Sequence, residues 1–261
     1  MTTKYISPVV SNIYPNINGL ELMIAGLGSP TLVRLDPGTA RANLAYTSTG
    51  TNVLDITLNS PTILNGAING INGLDTGTLA ANKIYSVHLI GDWTGKNSPA
   101  GLLSLSVNTP YLPSGYNCFR RVGQVVTDGS IHFRKFQQAG RWNERIYVFD
   151  EAIHVVTNSH AVVPTALDLS EYMPSSETNN QAWISTTLVT AVAGRSAFVR
   201  TYGATGSLTS DANVVGVGQV ASIPVYGNRW VLTSIFDQLE YQLTDAADTL
   251  EIFLLGYRYE L

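Results

Sequence analysis

The spacing of apolar residues constrains the fold of this chain more than any other feature. β-Branched and aromatic residues recur in short runs interrupted by Gly, Pro and Asn, and no long segment keeps the i, i+3, i+4, i+7 spacing of an amphipathic helix. In Leu54–Leu58 and Leu103–Val107 apolar and polar residues alternate, as in a strand with one face on a core. The sequence therefore predicts an all-β fold of antiparallel sheets. The predicted strands are Leu20–Ala25, Leu54–Leu58, Ile84–Ile90, Leu102–Val107, Phe119–Val126, Ile131–Phe136, Arg145–Phe149, Trp183–Val192, Ala197–Tyr202, Val214–Val220, Arg229–Phe236 and Leu250–Tyr259.

The length of 261 residues suffices for one large β domain or two smaller ones. Composition changes after the basic stretch that ends near Glu151, beyond which Ser, Thr, Val and Ala dominate. We expect two β-sandwich-like, jelly-roll-like antiparallel domains, over residues 19–150 and 151–261. The segment Ile13–Gly38 mixes Pro and Gly with short apolar runs, and residues 1–18 are predicted to form an extended arm that orders on a partner.

Charge is sparse in this sequence. Only 13% of residues are charged and the net charge is −4, so we expect no nucleic-acid partner and no attraction to an anionic membrane. The N-terminus does not resemble a secretory signal, and no apolar run is long enough for a membrane span, so we expect a product made in the cytoplasm with no membrane insertion. A surface solvated mainly by Ser, Thr, Asn, Gln and Gly suits a protein that assembles with neighbours.

Two turn patterns stand out. In VVTDGSIHF, the dipeptide Asp128-Gly129 predicts a type I′ hairpin turn, in which Gly129 adopts positive φ and Gly129→Val would be destabilising. The dipeptides Asn65-Gly66, Asn69-Gly70 and Asn72-Gly73 predict a tight series of bends or a bulged edge.

Two glycine motifs resemble nucleotide-binding loops but lack the required context. GDWTGK at Gly91–Lys96 has three residues between its glycines where a P-loop has four, and no helix follows it. GVGQVA at Gly216–Ala221 fits G-x-G-x-x-A, yet Pro224 follows closely and both flanks are predicted strands. We interpret the first motif as a loop between strands and the second as a β-bulge or a close strand crossing.

No catalytic, cofactor-binding or metal-binding residue is predicted. The four histidines lack ligand spacing, no Ser lies in G-x-S-x-G, and Cys118 fits a small core residue better than a nucleophile. Carboxylates from separate strands could still form a glycosidase pair. Asp75, Asp92 and Asp128, however, lie in turn signatures where Asp caps its own backbone, which leaves Asp150 and Glu151 as the other candidates.

The aromatic residues offer a binding hypothesis. Trp93, at a predicted loop tip, is the best candidate for stacking on a glycan or contacting a partner, and Tyr116 is the second. The alternative is that these rings belong to the core or to a protein interface.

An ordered series of motifs then suggests a family. GLDTGTLA at Gly73–Ala80, KIYSVHLIGDWTG at Lys83–Gly95, LLSLSVNTPYLPSGYNCFRRVG at Leu102–Gly123 and TDGSIHF at Thr127–Phe133 resemble tailed-bacteriophage virion proteins described as tail-fibre, head-fibre or structural proteins. The later part of the chain resembles phage β-modules only in its terminal LEIFLLGYRYEL.

The resemblance implies a non-enzymatic virion component, present in symmetric copies, with no cofactor. We expect a tail-fibre, fibre-base or adaptor protein that docks through its arm and first domain, with a capsid decoration or head-fibre protein as the alternative and a host-glycan-binding receptor module as the second. A depolymerising tailspike would be expected to show parallel β-helix repeats, and no such period is present. The expected partners are copies of the chain, with a trimer favoured, other head or tail proteins, and a host surface glycan. Oligomerisation would also cover exposed strand edges.

Overall fold

The computed structural model describes residues 17–24, 29–44, 53–140, 144–174 and 180–260. The fold is all-β and antiparallel, as predicted, and the described part contains a single short 3₁₀-helix at Asp211–Asn213. Two compact units divide between Arg145 and Ile146, a few residues before the expected boundary at residue 150. Within the part of the chain that the structure describes, no helix has the length and apolar character needed to cross a bilayer.

The first unit contains two sheets. One has the order β1-β4-β9-β7-β8, with β5 paired to the other side of β4, and a smaller sheet has the order β2-β3-β6. Strand β7 lies between β8 and β9 and is buried along almost its whole length. The strands of these sheets are β1 Ile17–Gly19, β2 Leu22–Ile24, β3 Leu32–Leu35, β4 Gly38–Leu44, β5 Val53–Leu58, β6 Thr62–Asn65, β7 Ile84–Gly91, β8 Ala100–Ser104 and β9 Cys118–Val126. Strand β10, Phe136–Ala139, follows them and belongs to neither sheet.

The second unit is an eight-stranded jelly roll. Its strands form two sheets, β11-β18-β13-β16 and β12-β17-β14-β15. The strands pair as β11/β18, β12/β17, β13/β16 and β14/β15. These are the pairs expected when one long antiparallel hairpin folds over into a two-sheet sandwich, which is the jelly-roll arrangement. The strands are β11 Glu144–Ser159, β12 Thr165–Asp168, β13 Gln181–Val189, β14 Ser196–Thr201, β15 Val214–Val217, β16 Val225–Leu232, β17 Gln238–Leu243 and β18 Thr249–Glu260.

Alternation along the strands builds the core of the jelly roll. In QAWISTTLV of β13, every second residue is buried and the residues between them are half-buried; the buried ones are Ala182, Ile184, Thr186 and Leu188. Such period-2 burial is expected of a strand with one face on a core. The rings of Tyr147 and Tyr257 stack with their centroids 5.0 Å apart, in the buried part of the unit.

The motif GVGQVA lies where these two sheets approach each other. The register between β14 and β15 shifts at Ala197 and Phe198, which pair with Gly216 and Val214, so the strand carries a bulge. A side chain at Gly216 would contact Leu188 of the other sheet. Of the two interpretations, a β-bulge or a close strand crossing, the bulge is confirmed.

Several predicted strand bounds were wrong. The strand predicted over Leu20–Ala25 is interrupted, because Leu20 adopts a positive φ of 58° between β1 and β2. Strand β8 ends at Ser104, and no strand covers residues 131–135. Strands β1, β3, β4, β6, β12 and β17 were not predicted. Residues 1–16 of the expected arm lie outside the described residues, but Ile17 and Asn18 belong to β1, so the arm cannot extend to residue 18.

The hairpin at Asp128-Gly129 is present with a different turn. Asp128 N–H donates to His132 O, Ile131 N–H donates to Asp128 O, and Thr127 bridges Phe133. Positive φ falls on Ile131 (64°) and not on Gly129. This is a type I turn closed by a residue in the left-handed region, so the predicted type I′ turn is wrong.

Candidate functional site

The loop between β7 and β8 is organised around one buried carboxylate. Asp92 accepts hydrogen bonds from the backbone N–H groups of Thr94, Lys96 and Asn97, at 2.8, 2.9 and 3.1 Å. The Thr94 hydroxyl also donates to it, with Oγ1 2.7 Å from both carboxylate oxygens. The side-chain amides of Asn97 and Asn117 complete the shell at 3.3 Å. GDWTGK is therefore a loop between strands, as predicted, and Asp92 closes it upon itself.

This shell of hydrogen-bond donors lowers the pKa of the Asp92 carboxyl group. Burial of the carboxyl group alone would raise its pKa, but the hydrogen bonds from Thr94, Asn97 and Lys96 outweigh burial and hold the pKa well below its ordinary value of 3.8. An anion whose acceptor sites are occupied by its own loop is a poor proton acceptor for a substrate. The chemistry of this site is that of a structural anchor.

Trp93 lies at the tip of the same loop. Its side chain is 57% exposed, while its backbone N–H donates to Asn117 Oδ1 at 2.9 Å. Asn117 in turn donates to Asp92, so the backbone that carries the indole is fixed from both sides. The prediction that Trp93 occupies an exposed loop tip is confirmed, and the ring is available for contact with a ligand or partner.

Tyr116 is not exposed, contrary to expectation. Its ring packs with Ile90, Ala100 and Leu102 in a buried cluster, and its hydroxyl donates to Ser98 O at 2.9 Å. Desolvation by burial raises the pKa of the phenol. Tyr116 therefore supports the base of the Trp93 loop and presents no surface to a glycan.

The Asn-Gly turn series covers the free edge of β8. Asn72 N–H donates to Gly101 O, Leu103 N–H donates to Gly73 O, and Asp75 N–H donates to Leu103 O. Asn72 Oδ1 accepts the remaining Gly101 N–H at 2.9 Å. The predicted series of bends is confirmed, and its role is to pair an edge strand that would otherwise present open backbone groups.

All three turn aspartates cap their own backbones, as predicted. Asp75 Oδ1 accepts from Thr76 N–H at 2.7 Å, and Asp128 Oδ1 accepts from Ser130 N–H at 2.8 Å, as Asp92 does from Thr94. Asp75 Oδ2 also accepts from the Ser104 hydroxyl at 2.6 Å and from Tyr111 N–H at 3.1 Å. Asp150 and Glu151 are exposed neighbours on β11.

The histidines and the cysteine have separate environments. His88 is buried against Phe119, and desolvation lowers its pKa to about 4. His160 Nδ1 lies 2.6 Å from Asp248 O. Cys118 is buried, as predicted, and desolvation raises the pKa of its thiol to about 11. Among the described residues no three His, Cys, Asp or Glu side chains form a group that could hold a metal ion.

Sequence reasoning missed an aromatic surface on the jelly roll. On β16, Tyr226, Trp230 and Leu232 are exposed at alternate positions, 73%, 40% and 46% respectively. Trp230 pairs with Trp183 of β13, and the two rings stack with centroids 5.6 Å apart. The signal in the sequence is the alternation Tyr-x-Asn-x-Trp-x-Leu, which was overlooked because the strand was predicted to begin at Arg229.

Comparison with known proteins gives distant similarities only. No family model matches the chain, and no curated protein matches it. A chain from the structure of infectious bursal disease virus Gx strain is 10% identical, with 94% of this chain and 72% of that chain covered and a TM-score of 0.23. A Bacillus thuringiensis Cry1Da tryptic core variant is 8% identical, with 95% and 52% covered and a TM-score of 0.19. Similarities at these TM-scores carry no argument about fold or function.

Proposed function

We propose that the chain is a non-enzymatic structural protein of a tailed-bacteriophage virion, of the tail-fibre, fibre-base or adaptor type. The observation that carries the proposal is the ordered motif series between Gly73 and Phe133, which resembles phage virion proteins. Residues of these motifs stabilise loops and turns. Asp75, Asp92 and Asp128 accept hydrogen bonds from backbone N–H groups of their own loops. The turn at Asn72 forms backbone hydrogen bonds with the edge of β8. Motifs used in this way suit a building module better than a catalytic one.

The second unit supports the same proposal. Eight-stranded jelly rolls occur in viral capsid domains and in lectins, although a fold by itself does not determine function. The chain is proposed to form a homo-oligomer, with a trimer favoured, that docks on other head or tail proteins through its N-terminal part. Multiple copies would turn weak contacts into durable attachment through effective concentration.

The test combines assembly with docking. Light scattering on the purified chain should give the mass of an oligomer, and the chain should sediment with phage particles that lack it. A stable monomer that never joins particles contradicts the proposal. Binding to isolated heads but not to isolated tails would favour the alternative, a capsid decoration or head-fibre protein.

A second candidate function is recognition of a host glycan by Trp93. The favouring observation is an indole that is 57% exposed on a loop whose backbone is fixed by Asn117 and Asp92. Preorganised aromatic contacts of this kind are effective in binding. Phage adsorption that is unchanged by Trp93→Ala would count against this candidate.

A further inference from the structure

The outward surface of β13, β16 and β18 carries four aromatic rings, two of them exposed and two half-buried, and we call it the aromatic face. It carries Tyr226 and Trp230 from the end strand of the sheet, Trp183 from β13 and Phe253 from β18. No described residue covers Tyr226, which is 73% exposed. Large exposed aromatic residues grouped on one surface mark binding sites more often than isolated ones do.

The register of the strands places these side chains in rows. Trp183 lies opposite Trp230, and Thr187 lies between Tyr226 of β16 and Glu251 of β18. In the row between them, Ser185 separates Asn228 from Phe253. Rings and hydrogen-bonding side chains therefore alternate across the face.

The rings are held in place by stacking. The planes of Trp183 and Trp230 are inclined by 20°, and Phe253 stacks on His154 of β11 with centroids 4.3 Å apart. Stacked rings lose little further freedom when a ligand binds, which favours affinity. Trp230 is 40% exposed despite its stacking partner.

Spacing along β16 suits an extended ligand. Tyr226, Asn228 and Trp230 occupy alternate positions and point to the same side, so the two rings are about 13 Å apart with Asn228 about midway. A chain of sugar units could place one ring on Tyr226 and another on Trp230. The Asn228 amide can both donate to and accept from sugar hydroxyls between them.

Charge favours a neutral ligand. Of the described residues on this face, Glu251 and Arg258 carry charge, one of each sign. Uncharged hydroxyl and amide groups lie in the same rows as the rings, on Ser185, Thr187 and Asn228. Apolar rings with a few hydrogen-bonding groups match the mixed faces of a sugar, which presents C–H groups on one side and hydroxyls at its rim.

The size of the face argues against a second protein copy as its occupant. The eight residues of β16 extend for about 26 Å, and three strands have a width of about 14 Å, giving roughly 370 Å². A stable protein interface covers about 800 Å² on each partner. The face is thus too small to hold an oligomer by itself, but it is large enough for an oligosaccharide.

We propose that the aromatic face is a binding site for a neutral glycan, with sugar rings stacked on Tyr226 and Trp230 and hydroxyls bonded to Asn228. This goes beyond the proposed function, because it does not depend on where the chain sits on a virion. It also differs from the Trp93 candidate in residues and in unit.

The test uses the full chain on an array of neutral oligosaccharides, followed by a fluorescence titration with the strongest binder. Tyr226→Ala and Trp230→Ala are expected to weaken binding at least about ten-fold, which corresponds to about 1.4 kcal/mol. Tyr111→Ala is the matched control, because Tyr111 is 70% exposed but lies in the first unit. This control should bind like the wild type. Trp93→Ala distinguishes the two candidate sites, because a loss of binding confined to that variant would assign the glycan to the Trp93 loop of the first unit.

The contradicting outcomes are distinct. The inference is overturned if no neutral oligosaccharide binds, if only charged glycans bind, or if Trp93→Ala alone abolishes binding. It is also overturned if light scattering shows an oligomer that Tyr226→Ala and Trp230→Ala dissociate, since the occupant would then be a second copy. Should Trp230→Ala fail to fold, Tyr226→Ala decides, because the Tyr226 side chain is largely exposed. Docking on particles is measured separately, so failure here leaves the virion proposal intact.

Discussion

The Ser104 hydroxyl lies 2.6 Å from Asp75 Oδ2 and donates a hydrogen bond to it, joining the Asn-Gly turn series to the end of β8. The Ser104 side chain is buried, so loss of the carboxylate would leave a buried donor without this acceptor. The motif GLDTG thus stabilises the packing of the turn series on β8, and its contribution to the free energy of unfolding can be measured.

Asp75→Ala should lower the free energy of unfolding by about 1.5–3 kcal/mol, because a hydrogen bond to a charged group and two backbone contacts are lost. Urea denaturation measures the change. Asp55→Ala is the control and should cost less than about 1 kcal/mol, since the Asp55–Arg41 pair is exposed. Equal effects of the two substitutions would contradict the structural role of Asp75.

Asp92→Asn should destabilise the chain at pH 7 and make it less sensitive to acid. The folded-state pKa of Asp92 is depressed, so its contribution is present above its ordinary pKa of 3.8 and is lost as the pH falls below that value. Melting temperatures of wild type and variant should therefore differ at pH 7, and the difference should narrow progressively as the pH falls below 3.8. A difference that does not change with pH would show that the charge of Asp92 is not what holds the loop.

Ile131→Gly should stabilise the first unit by about 0.5–1 kcal/mol, because a β-branched residue at a φ of 64° is strained and glycine is not. Gly129→Val should change stability by less than about 0.5 kcal/mol, since Gly129 has no positive φ and open space surrounds a side chain there. The type I′ turn predicts the opposite order for these variants. Thermal melting of both therefore distinguishes the two turns.

Asp237→Asn should flatten the pH dependence of the second unit. Asp237 is fully buried and has a φ of 58°. Desolvation raises its pKa to about 7, and Asp168 adds a smaller contribution in the same direction. The side-chain amide of Asn180 donates to Asp237 Oδ1 at 2.8 Å, which opposes this increase in pKa. A raised folded-state pKa means that its support for the fold is complete below about pH 3.8 and is lost as the pH rises through about 7.

Between pH 5 and pH 8 the wild type should therefore lose about 2–3 kcal/mol of its free energy of unfolding, and Asp237→Asn should not show this loss. Asn tolerates the left-handed conformation and still accepts a hydrogen bond from Asn180, so the turn is preserved. Asp168→Asn should give a smaller change in the same direction. Parallel pH profiles for wild type and Asp237→Asn in urea denaturation would contradict the assignment.

Local features of this fold could be predicted from the sequence. The all-β class follows from short β-branched runs, and the capping role of Asp75, Asp92 and Asp128 follows from turn signatures only a few residues long. The burial of Cys118 and the exposure of Trp93 were predicted on the same local grounds. Each of these depends on contacts close in sequence.

Features set by distant contacts were missed. The sequence GTARANL of β4 has little strand propensity, and it forms a strand because β1, β5 and β9 pair with it. Burial of Tyr116 depends on packing against β7 and β8, which its own neighbours in sequence do not reveal. The aromatic face required the β13–β16 register, which brings Trp183 opposite Trp230.

Electron microscopy of particles labelled with an antibody against this chain tests the central proposal most directly. The proposal predicts label at a fixed position on every virion. A tail-fibre, fibre-base or adaptor protein would be labelled at the tail or fibre base, and a capsid decoration or head-fibre protein would be labelled over the capsid. Mature particles that carry no label, and no peptide of this chain by mass spectrometry, would contradict a virion role.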